Sequence, residues 1–292
     1  MEISSDLVGT PLKDYSCEVN WRDTMNYAAA IEDNNPCYFD DEREEGIVAH
    51  PMFAVATSWP IAENMQNFIT ADDFPFEVMM TLVHYTEHLK IHRLMKPGDE
   101  LTIKSKIAAI LPHRAGTHVI FCLNAVDRGG ELVFTEFIGG MLRGVECTGG
   151  SKGEDQIPEI PVDRNVSSPL WTKNVTIDLL RSYIYDGCTR ITFPIHTSKQ
   201  FARQVGLPGI ILQGTATLAY AVKEIIDNEA QRNPFNVREI ACRFTNMVLP
   251  GTDIQIALQS RERIEKGYSL FFTVYNGDNE KSISNGYVLI EG

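Results

Sequence analysis

Apolar residues along the chain change their period in a fixed order, and they do so twice. Residues from about Trp21 to Asp33 carry a helical period, and Pro51 to Met65 is apolar on most sides, which predicts a helix buried between other elements. Beyond it the period becomes two, predicting strands at about Val83 to His92, Leu101 to Leu111, Thr117 to Val126 and Leu132 to Gly144. The second half repeats the order: a helix from about Ile177 to Tyr185, a buried helix from Gly214 to Asn228, then strands at about Arg238 to Asn246, Ile254 to Arg261, Tyr268 to Tyr275 and Ser282 to Leu289. Pro60 falls inside the first buried helix, which is therefore kinked there or shorter than its counterpart. Asp127-Arg128-Gly129-Gly130 and Asn276-Gly277-Asp278 supply hairpin turns between the last two strands of each half.

The repeat is also visible residue by residue. Gly46-Ile47-Val48-Ala49-His50-Pro51-Met52-Phe53 lies opposite Gly209-Ile210-Ile211-Leu212-Gln213-Gly214-Thr215-Ala216. Upstream, Asn35-Pro36-Cys37-Tyr38 lies opposite Phe193-Pro194-Ile195-His196, and downstream Lys96-Pro97-Gly98-Asp99 lies opposite Leu249-Pro250-Gly251-Thr252. Residues 147–170 are rich in Gly, Ser, Pro and charge without an apolar period, and predict a surface linker between domains 1–146 and 171–292. A long helix followed by antiparallel strands, once in each half, predicts an α+β layer in which a sheet wraps a helix.

A chain of 292 residues with 43% apolar content builds a sizeable core without staples. Its net charge of -13 opposes binding to nucleic acid or to anionic lipid, no apolar run reaches the ~20 residues of a membrane span, and the acidic start is unlike a signal peptide. Six cysteines without metal-site or Cys-x-x-Cys spacing read as reduced thiols, so the expectation is a soluble cytoplasmic protein. Glycine-rich phosphate loops and Gly-x-Ser-x-Gly elbows are absent, which removes P-loop NTPases, Rossmann dehydrogenases and serine hydrolases.

Pro194-Ile195-His196-Thr197, the block Ile211-Leu212-Gln213-Gly214-Thr215-Ala216-Thr217-Leu218-Ala219 and His92-Arg93-Leu94 ahead of Pro97-Gly98-Asp99 resemble the MaoC-like hydratase and dehydratase family over nearly the whole chain. The resemblance implies a double hot-dog fold, two long central helices on one antiparallel β-sheet. It also implies reversible hydration of a trans-2-enoyl thioester of coenzyme A, with no cofactor beyond the coenzyme A of the substrate. In that chemistry a loop Asp and His share one water, and a backbone N–H at the start of the buried helix meets the thioester oxygen, where enolate charge builds. Here His196 is the implied acid/base and Gly214 the implied oxyanion donor.

The family's Gly-Asp-x-Asn-Pro-apolar-His loop is incomplete in both halves. Counted from Pro194, Ile191 stands in the place of the Asp and Phe193 in that of the Asn; the first half keeps Asp33, Asn34, Asn35 and Pro36 but has Tyr38 in the place of the His. Three readings stay open. Asp186, brought back by a bulge at Gly187, works with His196; His196 works alone on a substrate needing less activation; or the site binds an acyl thioester without turning it over. Phe193, Ile191 and Gln213 line the implied substrate site, and Arg190, Lys199 and Arg203 are the bases placed to meet the coenzyme A phosphates. Asp33 and His196 are expected on different mouths of the sheet. His84, His88 and His92 fall on one face of a predicted strand, ~13 Å from first to last, too far apart for one metal ion, with His84 a weak candidate for the acyl site. Phe53, Trp59, Phe193 and Tyr220 belong to the core or to an acyl pocket, Cys188 is filler, and exposed strand edges point to a homo-oligomer.

Overall fold

The structure is a computed structural model and describes residues 1–163 and 168–292; the predicted linker thus has residues 164–167 outside the described residues. The helices are α1 (Trp21–Ala30), α2 (Pro36–Phe39), α3 (Phe53–Glu63), α4 (Met65–Phe68), α5 (Arg181–Thr189), α6 (Lys199–Gln204) and α7 (Gly214–Glu229). The strands are β1 (Glu2–Ser4), β2 (Tyr15–Glu18), β3 (Leu82–Ile91), β4 (Glu100–His113), β5 (Gly116–Asp127), β6 (Leu132–Arg143), β7 (Glu146–Thr148), β8 (Trp171–Thr176), β9 (Val237–Phe244), β10 (Asp253–Ile264), β11 (Gly267–Tyr275) and β12 (Lys281–Glu291).

Ten strands form one antiparallel sheet in the order β2-β4-β5-β6-β3-β9-β12-β11-β10-β8. Read inward from each edge, the two halves have the same order. They join at β3 and β9, from Thr86 opposite Arg243 to Lys90 opposite Glu239. This is the double hot-dog: one continuous sheet, with α3 and α7 packed on one face in a core cluster that runs through both halves.

The eight predicted strands are all present, and so are the two hairpin turns, closed by Asp127 N bonding Glu131 O and Asn276 N bonding Glu280 O. Edge strands β2 and β8 and the short parallel pair β1–β7 were not predicted, since strands of three to six residues carry no clear alternation. The helix predicted from Ile177 begins at Arg181. The first buried helix is the shorter of the two: α3 has 11 residues against 16 for α7, with Pro60 in its last turn and α4 following the break at Asn64. The linker opens with Lys152 bridged to Ile110, where Gly153 passes so close to β4 that an added Cβ would lie 2.1 Å from Ala108 O. Ile160 then covers Ala241, Phe271 and Tyr287 on the sheet face away from the helices.

Candidate active site

α5 ends because Arg190 takes left-handed backbone, φ 58°, with its N–H bonded to Asp186 O at 2.9 Å. The chain then buries Ile191 in the core and turns through Pro194–His196, a turn whose first residue needs no N–H partner. Ser198 caps α6 by accepting from Phe201 N at 3.2 Å. His196 is left half-buried against the loop entering α7, its Nδ1 2.8 Å from Ile211 O. A carbonyl only accepts, so Nδ1 carries the proton and Nε2 presents a lone pair. Loss of water around the ring moves its pKa down to about 4, and the imidazole is neutral at pH 7.

Three residues past Ile211, Gly214 opens α7, where the first-turn N–H groups have no helical carbonyl to bond and gather partial positive charge. A Cβ on Gly214 would lie 3.0 Å from the Phe244 ring, so the lack of a side chain lets that ring pack against the start of the helix. Gln213 is buried beside them; its Nε2 donates to Ser182 O at 3.1 Å while its Oε1 has no hydrogen-bond partner among the described residues. His196 and Gln213 are thus both anchored by backbone carbonyls around the loop that enters α7, the helix that Gly214 opens.

Asp186 does not join them through a bulge. Gly187 continues α5, and the Asp186 carboxyl is raised in pKa by burial and by the charge of Glu63. The loop instead leans on the end of α3, with Trp59 Nε1 bonded to Thr192 O at 3.3 Å and Thr192 bonded to Glu63. Ile191 is 1% exposed, a core residue rather than a lining one, and Phe193 is half exposed and meets Phe201 edge-on. Arg190 pairs with Asp23 of α1 at 3.1 Å, whereas Lys199 and Arg203 are exposed on α6 immediately after His196.

The first half holds a complementary set. Asp33 Oδ1 accepts from Asn35 N, Asn35 Oδ1 caps α2 and Asn35 Nδ2 donates to Arg232 O beyond the C-terminus of α7. His50 stands where Gln213 stands in the second half, its Nδ1 accepting from Met52 N at 3.1 Å at the start of α3 and its Nε2 3.9 Å from Asp33 Oδ2. Tyr38, in the place of His196, is fully buried with its hydroxyl unpaired and its ring edge-on to His50. The Asp33 and His196 loops lie at opposite ends of α7, a helix ~24 Å long, and do not share a site.

Sequence reasoning placed His84 and His88 on one face of their strand, and the structure does not. A bulge at Tyr85 shifts the register between His84 and Thr86, so His84 faces the helices while His88 pairs with Glu239 and meets Phe137 on the other face. His84 Nε2 lies 3.2 Å from Glu87 Oε2, and its ring sits tilted against Phe244 with centroids 4.6 Å apart. Glu87 and Glu136 are fully buried and were missed; the signal was Glu136 between Phe134 and Ile138, an acid at an apolar position of β6. A buried relay of Tyr27, Tyr185 and Thr215 hydroxyls, each step 3.2 Å, ties α1 and α5 to the first turn of α7.

Residues 166–280 match the family described as MaoC like domain, and residues 6–136 match the FAS1-like dehydratase domain region. The chain carries a MaoC-like domain. That domain holds His196, Gln213 and Gly214, and the FAS1-like region holds Asp33, His50, His84 and Glu87. The chain is 26% identical over 292 residues to 3-hydroxyacyl-thioester dehydratase Y of Mycobacterium tuberculosis, covering 96% of this chain and 94% of that protein. It is 25% identical over 222 residues to probable enoyl-CoA hydratase 2 of Dictyostelium discoideum, covering 75% and 73%. The crystal structure of a MaoC-like dehydratase from Phytophthora capsici superimposes with a TM-score of 0.84 at 18% identity, covering 97% of both chains, and shares the fold.

Proposed function

We propose that the chain is a hydro-lyase that adds water to, or removes it from, an acyl thioester of coenzyme A, with His196 as the acid/base and Gly214 as the oxyanion donor. The observation that carries this is the His196 ring, neutral and held through Nδ1 by Ile211 O, in the loop that enters α7, which leaves a lone pair on Nε2. In the hydration direction Nε2 takes a proton from water as the oxygen bonds the β-carbon of a trans-2-enoyl thioester. The displaced π electrons reach the thioester oxygen, where the Gly214 N–H and the helix dipole stabilise the enolate. The imidazolium then returns its proton to the α-carbon, leaving the enzyme unchanged; dehydration runs the same steps backward. Gln213 Oε1, an acceptor without a partner, is placed to orient the water.

Lys199 and Arg203 are the bases available to the coenzyme A phosphates. The hollow of about 430 Å³ lined by Pro208, Met247, Asp253, Asp278 and Glu280 is acidic and unsuited to an anionic nucleotide. The same reading needs no metal or redox cofactor and places the chain in the cytoplasm, in keeping with six free cysteines, as a homo-oligomer that covers its β2 and β8 edges. A second reading, a thioester-binding protein without turnover, draws support from Ile191, an apolar core residue in the place of the loop Asp.

Loss of enoyl absorbance with a panel of trans-2-enoyl-CoA thioesters separates the two. Turnover by the wild type, abolished in His196→Ala and retained in Asp186→Asn, establishes the single-histidine hydro-lyase; binding without turnover in the wild type establishes the second reading.

A further inference from the structure

α5 turns its polar side inward. It buries Arg181, Ser182, Tyr185 and Thr189, which share one face at helical spacing, and exposes Tyr183 and Ile184, with Leu180 exposed at its start. Apolar burial would have docked the opposite face, so hydrogen bonds hold this helix, and such bonds fix direction as well as contact.

Arg181 and Tyr185 tie α5 to the first half. Arg181 Nη1 donates to Ala30 O at the end of α1 at 2.9 Å, Nη2 of the same guanidinium pairs with Glu32, and the Tyr185 and Tyr27 hydroxyls bond at 3.2 Å. Ser182 and Tyr185 reach the segment that enters α7. Ser182 Oγ donates to Ile211 O at 3.2 Å, Ser182 O accepts from Gln213 Nε2 at 3.1 Å, and the Tyr185 hydroxyl donates to Thr215 Oγ1 at 3.2 Å. Residues 211, 213 and 215 are thereby all held from one helix.

Ile211 O is the acceptor that Ser182 Oγ–H and His196 Nδ1–H share. A carbonyl oxygen has two lone pairs, and with both engaged the peptide plane turns only by breaking a bond. The direction of this carbonyl decides the histidine. While it points at Nδ1 the imidazole proton stays there and Nε2 accepts; once it swings away, the proton is free to sit on Nε2, which then accepts nothing. Ser182 is fully buried and meets no substrate, so any effect it has on the reaction passes through Ile211.

We infer that Ser182 is a positioning residue: its hydroxyl aims the Ile211 carbonyl and through it fixes the tautomer and direction of the His196 ring. The inference rests on the hydro-lyase reading above, in which His196 takes a proton through Nε2.

Ser182→Ala removes the hydroxyl, leaves the backbone oxygen that Gln213 uses, and strands no buried partner, because Ile211 O keeps His196. Nitrogen NMR at pH 7 on protein labelled in its histidine rings distinguishes the two tautomers, and the His196 signals are those lost in His196→Ala. They should show a proton on Nδ1 alone in the wild type and a mixture of both forms in Ser182→Ala. With the best trans-2-enoyl-CoA, kcat should fall about tenfold, the worth of one buried hydrogen bond, while KM stays within about twofold. Ser182→Cys, close in shape and a weaker donor, takes the same two readings if the alanine variant does not fold.

An unchanged tautomer overturns the inference whatever happens to kcat, since the backbone alone would then aim the carbonyl. An unchanged kcat beside a mixed tautomer overturns it too, and so does a loss of stability with neither reading moved. If the wild type turns over no thioester, the hydro-lyase reading fails by itself, and the tautomer spectra still decide whether Ser182 holds the ring.

Discussion

His50 Nε2 faces Asp33 Oδ2 at 3.9 Å inside the first half, both side chains almost fully buried. Met52 N donates to His50 Nδ1, so the imidazole proton lies on Nε2, toward the carboxylate. Burial still dominates Asp33 and raises it to about 6 from 3.8. The folded state therefore binds the proton more tightly than the unfolded one, and stability falls as pH rises from about 4 to about 6. Asp33→Asn keeps the acceptor for Asn35 N and removes the ionisable group. It should stabilise the protein at pH 7 by about 1–3 kcal/mol, and the gain should vanish below about pH 4. Urea unfolding at pH 4, 6 and 8 checks this; a variant less stable than wild type at pH 8 would mean that an ion pair with His50 outweighs the burial.

Glu87 gives the same sign over a higher window. Its folded pKa of about 8 stands above the 4.5 of an exposed glutamate because it is buried. Protons held by the folded state alone make the protein lose stability as pH rises from about 4.5 to about 8, by about 5 kcal/mol at most, and level off beyond. Glu136 steepens the loss, since each carboxylate opposes ionisation of the other. Glu87→Gln should flatten the profile and raise the midpoint of thermal unfolding most at pH 8. A wild-type profile flat between pH 5 and pH 8 would show that water reaches these acids.

The parts of this architecture that repeat over many residues were legible in the sequence. The alternation in β3–β6 and β9–β12 and the apolar run of α7 each bury a whole face, so the period itself reports the layer. The loop block Pro194-Ile195-His196 and Gly214 stood out for a different reason, their resemblance to a family motif, and the structure sets both around the loop that enters α7. What a single residue decides was hidden. One extra residue at Tyr85 turns His84 toward the helices, and nothing in the alternation of that strand announces it. Asp186 was misjudged because glycine permits a bulge without requiring one, and Gly187 stays helical.

The Tyr27–Tyr185–Thr215 relay joins the two halves beside the candidate site, and its donors are buried. Tyr185→Phe removes the shared hydroxyl and leaves those of Tyr27 and Thr215 without it, which should cost about 1–3 kcal/mol. Tyr27→Phe in the same chain removes one of the stranded groups, so the double variant should cost less than the sum of the single ones. A double-mutant cycle by urea denaturation measures the coupling, and strict additivity would show that the three hydroxyls do not act as one relay.

Gly214→Ala separates the demands of helix and site. At the first position of α7 the backbone is not in the left-handed region, and alanine favours a helix over glycine by up to about 1 kcal/mol. The new methyl meets Phe244 at 3.0 Å and must push the ring by a few tenths of an ångström, an overpacking cost of about 1–3 kcal/mol. The two effects partly offset, so unfolding free energy should fall by about 0–2 kcal/mol. On the proposed mechanism catalysis has no such offset, because the added methyl and the displaced Phe244 ring crowd the first turn of α7, where the thioester oxygen is to bind. Loss of one oxyanion donor costs about 10²–10³ in kcat. Steady-state kinetics with the best trans-2-enoyl-CoA should show a fall of that order in Gly214→Ala, beside near-wild-type denaturation. Unchanged kinetics would move the oxyanion site away from the start of α7, and with it the assignment of His196 as the group that faces the substrate.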